Sequence, residues 1–323
     1  VTDPVRAIAD AVLYEGYVLW PYRRTALKNQ RRWTFGGVYP RDHSAAHPDD
    51  PWLMRTQCLL EATAGARVTV TVRFLHVVRR QVVGAAGEPV DEIVAGGERH
   101  LSWSEAVERE IAIKPLQLGE ASTTPIAIAA AEEIEPLEGG AVARRWRRLD
   151  GAVTVASEEV GPGVWRLTAE IANRTPFAGD REAALERTFC STHTVLRTSA
   201  GRFVSQTDPP LALREAAAAC ANERTWPVLV GEPGDASTVL SSPIILEDHP
   251  RIAPESPGDL FDGGEIDQML VLNILALTDE EKAEMRDADP RTREILERTE
   301  SLTPDQLMSL HGAVREFGMA RGR

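Results

Sequence analysis

Cysteine is scarce in this chain: Cys58, Cys190 and Cys220 are the only three in 323 residues, and none sits in a CxxC spacing. A sparse, odd count excludes a disulfide framework and suits a reducing compartment. Long apolar runs are missing too. No stretch approaches the ~18 uncharged apolar residues that a membrane-spanning helix requires. The first twenty residues carry Asp10 and Glu15 and lack a basic leader ahead of an apolar run, so no secretory leader is expected there. A basic surplus is also absent. The net charge of −13 argues against a general nucleic-acid binder. Together these absences lead us to expect a cytoplasmic protein with no membrane insertion.

Several catalytic signatures are missing as well. There is no GxSxG elbow, no Walker loop and no dinucleotide fingerprint following a strand. Gly36-Gly37 and Gly263-Gly264 are too isolated to suggest a phosphate cradle. The seven histidines are dispersed, so no histidine-rich metal tract exists. What is present is ordinary for a globular protein: 43% hydrophobic and 26% charged residues, enough to build a buried core.

Charge is unevenly spread. From residue 231 onward the chain has 20 acids against 9 bases, whereas residues 1–48 have 4 acids against 7 bases. The two ends could attract each other, or each could face a partner of opposite sign.

Hydrophobic periodicity predicts an α+β protein with an antiparallel, sandwich-like or barrel-like β core. Asp3-Pro4 opens an N-terminal helix with apolar residues at Val5, Ile8, Ala9, Val12 and Leu13. From Arg67 the period becomes two, and the strand extends toward Val83. Val90–Val94 reads as a short return strand, followed by a turn at Gly96-Gly97. Ser104–Glu110 fits either a short helix or a strand, and Ser122–Pro136 is ambiguous. Val142–Leu149, Val153–Ser157 and Val164–Asn173 read as successive strands, the first two joined by a turn at Asp150-Gly151. Thr188–Thr198 is a further strand, Pro209–Ala221 a helix and Trp226–Val230 a short strand. Met269–Leu277 could be a strand or a helix start; three helices near 279–287, 290–299 and 304–317 close the chain, two of them opened by capping boxes at Thr278–Glu281 and Thr303–Gln306. The expected organisation is an N-terminal helix and arm over 1–50, a β-rich core over 51–240, and an acidic loop with C-terminal helices over 241–323, packed on the core as one unit.

Four places could carry chemistry. The first is the segment 241–268, where Glu247, Asp248, His249, Glu255, Asp259, Asp262, Glu265 and Asp267 are interrupted by four prolines and three glycines. Clustered carboxylates suit hard cations, and His249 beside Asp248 suits zinc, iron or nickel. The spacing matches neither a calcium-binding loop nor HExxH, and the plain alternative is capping and solvation. The second is Cys190-Ser-Thr-His193. On a regular strand Cys190 and Thr192 share one face and His193 lies on the other, which disfavours a cysteine–histidine catalytic pair. Cys190 or His193 could still join Cys58 or His249 around a metal. No motif identifies a cofactor; a divalent metal held by Asp248, His249, Glu255, Asp259, Cys190 and His193 is the one this chemistry would take.

The third place is the basic, aromatic arm over residues 20–41. Arg23, Arg24, Arg31, Arg32 and Trp33 have the composition of a protein-docking surface, or of a charged segment laid over the core. The fourth is Arg41-Asp42-His43 with His47. Adjacent residues rarely bond as an acid–histidine pair, so this reads as a turn.

Long segments resemble a conserved actinobacterial-type family encoded beside nickel–iron hydrogenase structural and maturation genes. They are VLYEGYVLWPYRRTALKNQRRWTFGGVYP, RVTVTVRFLHVVRRQV, CSTHTVL, and the stretch from SPIILEDHPRIAPESPGDLF to QLMSLHG. The family supplies no catalytic residues to carry over. The resemblance implies an accessory or assembly protein that binds a hydrogenase subunit or precursor. The competing expectation, from the residues alone, is a metal-dependent hydrolase using the loop 247–267.

Overall fold

The computed structural model describes residues 4–14, 35–251, 267–288 and 290–303. Contacts divide the chain into two units. One joins the N-terminal helix to the chain up to Pro250, and the other contains the C-terminal helices. Among the described residues no helix is long and apolar enough to cross a membrane.

The first unit is built from antiparallel sheets. A five-stranded sheet has the order β13-β1-β11-β10-β7, with β1 Leu53–Glu61, β7 Ala121–Ile128, β10 Leu149–Gly161, β11 Val164–Asn173 and β13 Arg202–Phe203. An eight-stranded sheet runs β14-β15-β12-β2-β9-β8, with β3 and β6 also paired to β2. Its strands are β2 Arg67–Gly84, β3 Pro89–Val90, β6 Trp103–Gln117, β8 Ala131–Leu137, β9 Gly140–Trp146, β12 Cys190–Thr198, β14 Trp226–Leu229 and β15 Thr238–Ser242. A hairpin of β4 Glu92–Ala95 and β5 Glu98–Leu101 stands apart. Both large sheets end in edge strands, so the core is a sandwich and the barrel-like alternative is not realised.

Period-two patterning explains the core. Val68, Val70, Val72 and Phe74 of β2 meet Leu167, Ala169 and Ile171 of β11 and Val153 and Val155 of β10 in one buried cluster. Phe74 and Phe189 stack there with ring centroids 4.7 Å apart. Each large apolar side chain so buried contributes about 1.5–3 kcal/mol relative to exposure. The opposite face of β12, β14 and β15 is covered by α1 (Pro4–Tyr14). Its Val5, Ala9 and Val12 pack on Val195, Val228, Val230 and Leu240.

β2 is long enough to serve two regions. Over Val68–Leu75 it pairs with β12, and over Val78–Gly84 it pairs with β9 on the same side. β6 follows it from Arg67 to Arg80 on the other side. The second half of β2, with β9 and β8, extends the sheet into an arm past the end of its pairing with β12.

The second unit contains α5 Asp267–Leu275, α6 Asp279–Ala288 and α7 Pro290–Glu300. Both α5 and α6 pack against α7. The capping box at the start of α6 forms as its sequence predicts: Thr278 N–H donates to Glu281 Oε2 (2.9 Å), and Glu281 N–H donates to Thr278 Oγ1 (3.2 Å). Glu300 ties the pair through Arg286 (2.9 Å) and Lys282 (3.4 Å). The predicted helix 304–317 and most of its capping box lie outside the described residues.

Several sequence expectations are corrected. Asp150-Gly151 is not a turn; both residues lie inside β10, and residues 147–148 pass the chain onward from β9, paired to β8, into β10, paired to β7. Glycine is needed there for a packing reason. A Cβ on Gly151 would lie 2.5 Å from the Ala172 carbonyl oxygen and 2.8 Å from the Phe189 ring. The helix expected over Pro209–Ala221 is present in a shorter form, a 3-10 turn at Leu211–Leu213 running into a short helix, α4, at Arg214–Ala218. Val90–Val94 splits between β3 and β4. The open alternatives resolve as strands at 103–117, 121–128 and 131–137 and as a helix at 267–275. Replacing Gly151 with Ala should lower the unfolding free energy by about 2 kcal/mol, read from urea denaturation, because a backbone oxygen cannot move aside. An unchanged midpoint would show that the ladder relaxes there.

Candidate functional site

The structure places Asp248 and His249 against the edge strand β14. In that strand the N–H and C=O of Leu229 point away from β15. Asp248 Oδ1 accepts the Leu229 N–H (2.8 Å), and the His249 N–H donates to the Leu229 carbonyl (2.7 Å). Asp248 Oδ2 also accepts from Ser205 Oγ and from Thr207 Oγ1 (2.9 Å). His249 adopts a left-handed backbone (φ 54°) and directs Nδ1 at the Gly231 carbonyl (3.2 Å). The pair thus seals the end of an open sheet edge, and Pro227 contributes no N–H to that edge. Glu255 and Asp259 lie outside the described residues, as do Arg23, Arg24, Arg31, Arg32 and Trp33.

Cys190 and His193 are arranged differently from the simple strand expectation. A β-bulge falls between them, with Ser191 in the left-handed region (φ 51°). Cys190 pairs with Leu75 and His193 pairs with Arg73, so both side chains lie on the same face of the sheet, beside α1. The sequence expectation of opposite faces fails because one extra residue resets the alternation. Ser191 Oγ donates to the Val12 carbonyl in the last turn of α1 (3.3 Å).

Beside His193, Arg73 is almost wholly buried and bonds Asp10 of α1 (2.5 Å) and Glu108 of β6 (3.1 Å); Tyr14 donates to Glu108 (2.9 Å). Arg73 therefore locks α1 to the sheet, and such a network is costly to break from one side. His193 is fully buried, with Nδ1 on the Ser191 carbonyl (3.3 Å) and Nε2 without a partner. Burial, reinforced by the Arg73 charge, pushes its pKa down to about 3. The imidazole is neutral and cannot serve as an acid near neutral pH.

The fourth candidate forms a real acid–histidine pair, but with another acid. Arg41–Ala46 is a helix, α2, and not a turn. His43 Nε2 lies 2.9 Å from Asp50 Oδ2, which also faces Arg181 Nε at 3.5 Å. Arg181 opens a short helix, α3 (Arg181–Leu185), capped by Asp180. The His43 ring stacks on Tyr39 (5.3 Å) and His47 (4.2 Å) and meets the edge of Phe177 (5.7 Å). Asp42 instead accepts the Phe177 N–H (3.4 Å). Burial and the nearby Asp50 carboxylate raise the Tyr39 pKa. A carboxylate on one imidazole nitrogen is the orientation a general base needs, but the His43 side chain is 1% exposed. As built, the cluster clamps α2 and α3 to the end of the sandwich. Asp50, Arg73 and Glu108 escaped the sequence reading. The available signal for Arg73 was a lone charge inside the run VTVTVRFLHVV.

Among the described residues no three His, Cys, Asp or Glu side chains are placed to hold a metal ion. In comparisons with known proteins, no family model and no curated protein matches the chain.

Two outcomes follow from this geometry. Asp248→Ala strands three donors and should destabilise the protein by about 2 kcal/mol in chemical denaturation; a change below the measurement error would mean water replaces the carboxylate freely. The second concerns pH. His193 near 3 and His76 near 4, both lowered by burial and then by a neighbouring arginine, start from 6.5. Between those values and pH 6.5 the unfolded chain binds more protons than the folded one. Stability is therefore complete above pH 6.5 and falls as pH drops, by up to about 1.4 kcal/mol per pH unit for each histidine. His193→Gln should flatten that slope by one histidine's share in denaturation curves taken across this range.

Proposed function

We propose that the protein is a non-catalytic, cytoplasmic accessory protein that binds a nickel–iron hydrogenase subunit or precursor. The observation that carries the non-catalytic part is the use made of its reactive side chains. Asp248 and His249 close a strand edge, His193 is neutral beneath a helix, and His43 is enclosed by rings and a carboxylate. Each is engaged in holding the fold. The hydrogenase part rests on the resemblance of the arm, the strand 67–82, the CSTHTVL segment and the C-terminal stretch. The opposite charges of the two chain ends support docking surfaces of opposite sign. The acidic balance favours a protein partner over nucleic acid.

Affinity purification of the full chain from a host that makes a nickel–iron hydrogenase tests the reading. A hydrogenase subunit or precursor should be retained; retention of none would remove the proposal. Replacing Arg23, Arg24, Arg31 and Arg32 together with Glu should weaken that complex about tenfold or more, equivalent to about 1.4 kcal/mol. Equal binding by the fourfold variant would exclude the arm as the docking surface.

A further inference from the structure

The two edges of the eight-stranded sheet are treated differently. The β14 edge is closed by the chain itself through Pro227, Asp248 and His249. Among the described residues the β8 edge pairs only with β9. Every residue of β8 except Leu137 is exposed, and Ile134 shows 63% of its surface. Beside this edge lies an open groove of about 520 Å³ whose lining includes Val83, Ala141, Ala143 and Ile134 together with the charged pair Glu132 and Arg145.

We infer that the β8 edge is the docking site for an extended basic peptide segment of a partner protein, added as a further strand with alternate apolar side chains over Ile134. The strand register sets the chemistry of the two faces. Ile134 pairs with Ala143, and Glu132 pairs with Arg145, so these point toward the groove side. Glu133 and Glu135 lie on the opposite face. A strand added at this edge meets the glutamates as direct cross-strand neighbours at about 5 Å. The arginines of β9 stand one strand further away, at about 10 Å. They are also already engaged: Arg145 with Glu132 (2.6 Å), and Arg144 with Glu135 (2.8 Å) and Glu105 (3.0 Å). The edge strand carries three acids and no base; the same ion pairs hold Glu132 and Glu135, so among the described residues Glu133 is the acid of this edge outside an ion pair, and the charge an incoming strand meets is centred on it.

Pairing with a second copy is disfavoured by the same register. Antiparallel pairing about Ile134 sets Glu133 opposite Glu135 twice, and in-register parallel pairing sets each glutamate opposite itself. Pro136 has no N–H and limits the pairing stretch to residues 131–135. The three glutamates guard the edge against neutral or acidic strands while admitting a basic one.

The test uses the full chain and a fluorescent, acetylated and amidated octapeptide of alternating lysine and valine. Saturable binding by anisotropy is expected, about tenfold tighter than for the glutamate–valine counterpart. Methylating the amide nitrogens that face the edge should abolish binding, and hydrogen exchange should slow at Glu132–Glu135. Glu133→Lys, with unchanged thermal melting, should weaken binding about fivefold. Equal binding of the N-methylated peptide, or of a block peptide of four lysines then four valines, would reduce the effect to general charge attraction and overturn the proposal. A dimer whose β8 amides are protected without any peptide would assign the edge to a second copy and overturn it as well. The result is separable from the hydrogenase reading, since the probe contains no hydrogenase sequence.

Discussion

The hydrogen-bond ladder along β2 is the constraint on which the first unit depends. Its 18 residues span about 60 Å at strand rise. One stretch of backbone thus belongs to both the sandwich and the arm. On one side it changes partner from β12 to β9 across residues 76–77, while β6 continues unbroken on the other. His76 sits at that changeover, fully buried, with Nδ1 facing Arg109 at 3.5 Å. Because β6 bridges the changeover, the arm cannot hinge freely at His76 without tearing its pairs to Leu75 and Val77. The arm is a rigid projection of the sandwich.

That continuity forces polar chemistry into the interior. Alternation along β2 holds through Val72, after which both faces are buried up to Val78. Arg73 and His76 fall within or beside this stretch and must be accommodated without water. Arg73 is offset by Asp10 and Glu108, which fixes α1 in place; His76 is kept neutral, its pKa lowered to about 4 by burial and by Arg109. A lone buried charge would cost several kcal/mol, so α1 and β6 must each supply a carboxylate. The N-terminal helix is thereby tied to the sheet by charge as well as by Val5, Ala9 and Val12.

The sheet's strands were legible wherever one face met solvent. The period-two runs at 67–74 and 164–173 have a wet face and a dry face, and both appear as strands. Leu53–Glu61 and Thr238–Ser242 escaped recognition because polar residues such as Thr56, Ser241 and Ser242 are buried there, which blurs the alternation. Gly151 misled because Asp-Gly is a strong turn signal, whereas here the missing Cβ lets Phe189 approach the ladder. The bulge at Ser191 has no local sequence signature, so the shared face of Cys190 and His193 could not be read from spacing. Asp248 and His249 were visible as unusual residues, but their role depends on a strand about twenty positions earlier. A carboxylate that caps an edge and one that binds a metal look the same in a sequence.

Edge management connects the fold to its surfaces. An open strand edge attracts any extended chain, so a folded protein must close it, charge it or use it. The β14 edge is closed at a cost: His249 occupies a left-handed backbone, and a carboxylate is committed to three donors. Had indiscriminate pairing been the only hazard at β8, the same device would have served there. At β8, by contrast, no described residue closes the outer edge, Ile134 is exposed and three glutamates line the strand. An exposed isoleucine beside an open groove adds nothing to protection, since a fourth charged residue would protect better. The combination of apolar contact, acidic neighbours and unpaired backbone discriminates among incoming strands by charge. It sits on a rigid arm, where the geometry of the edge is set before any partner arrives.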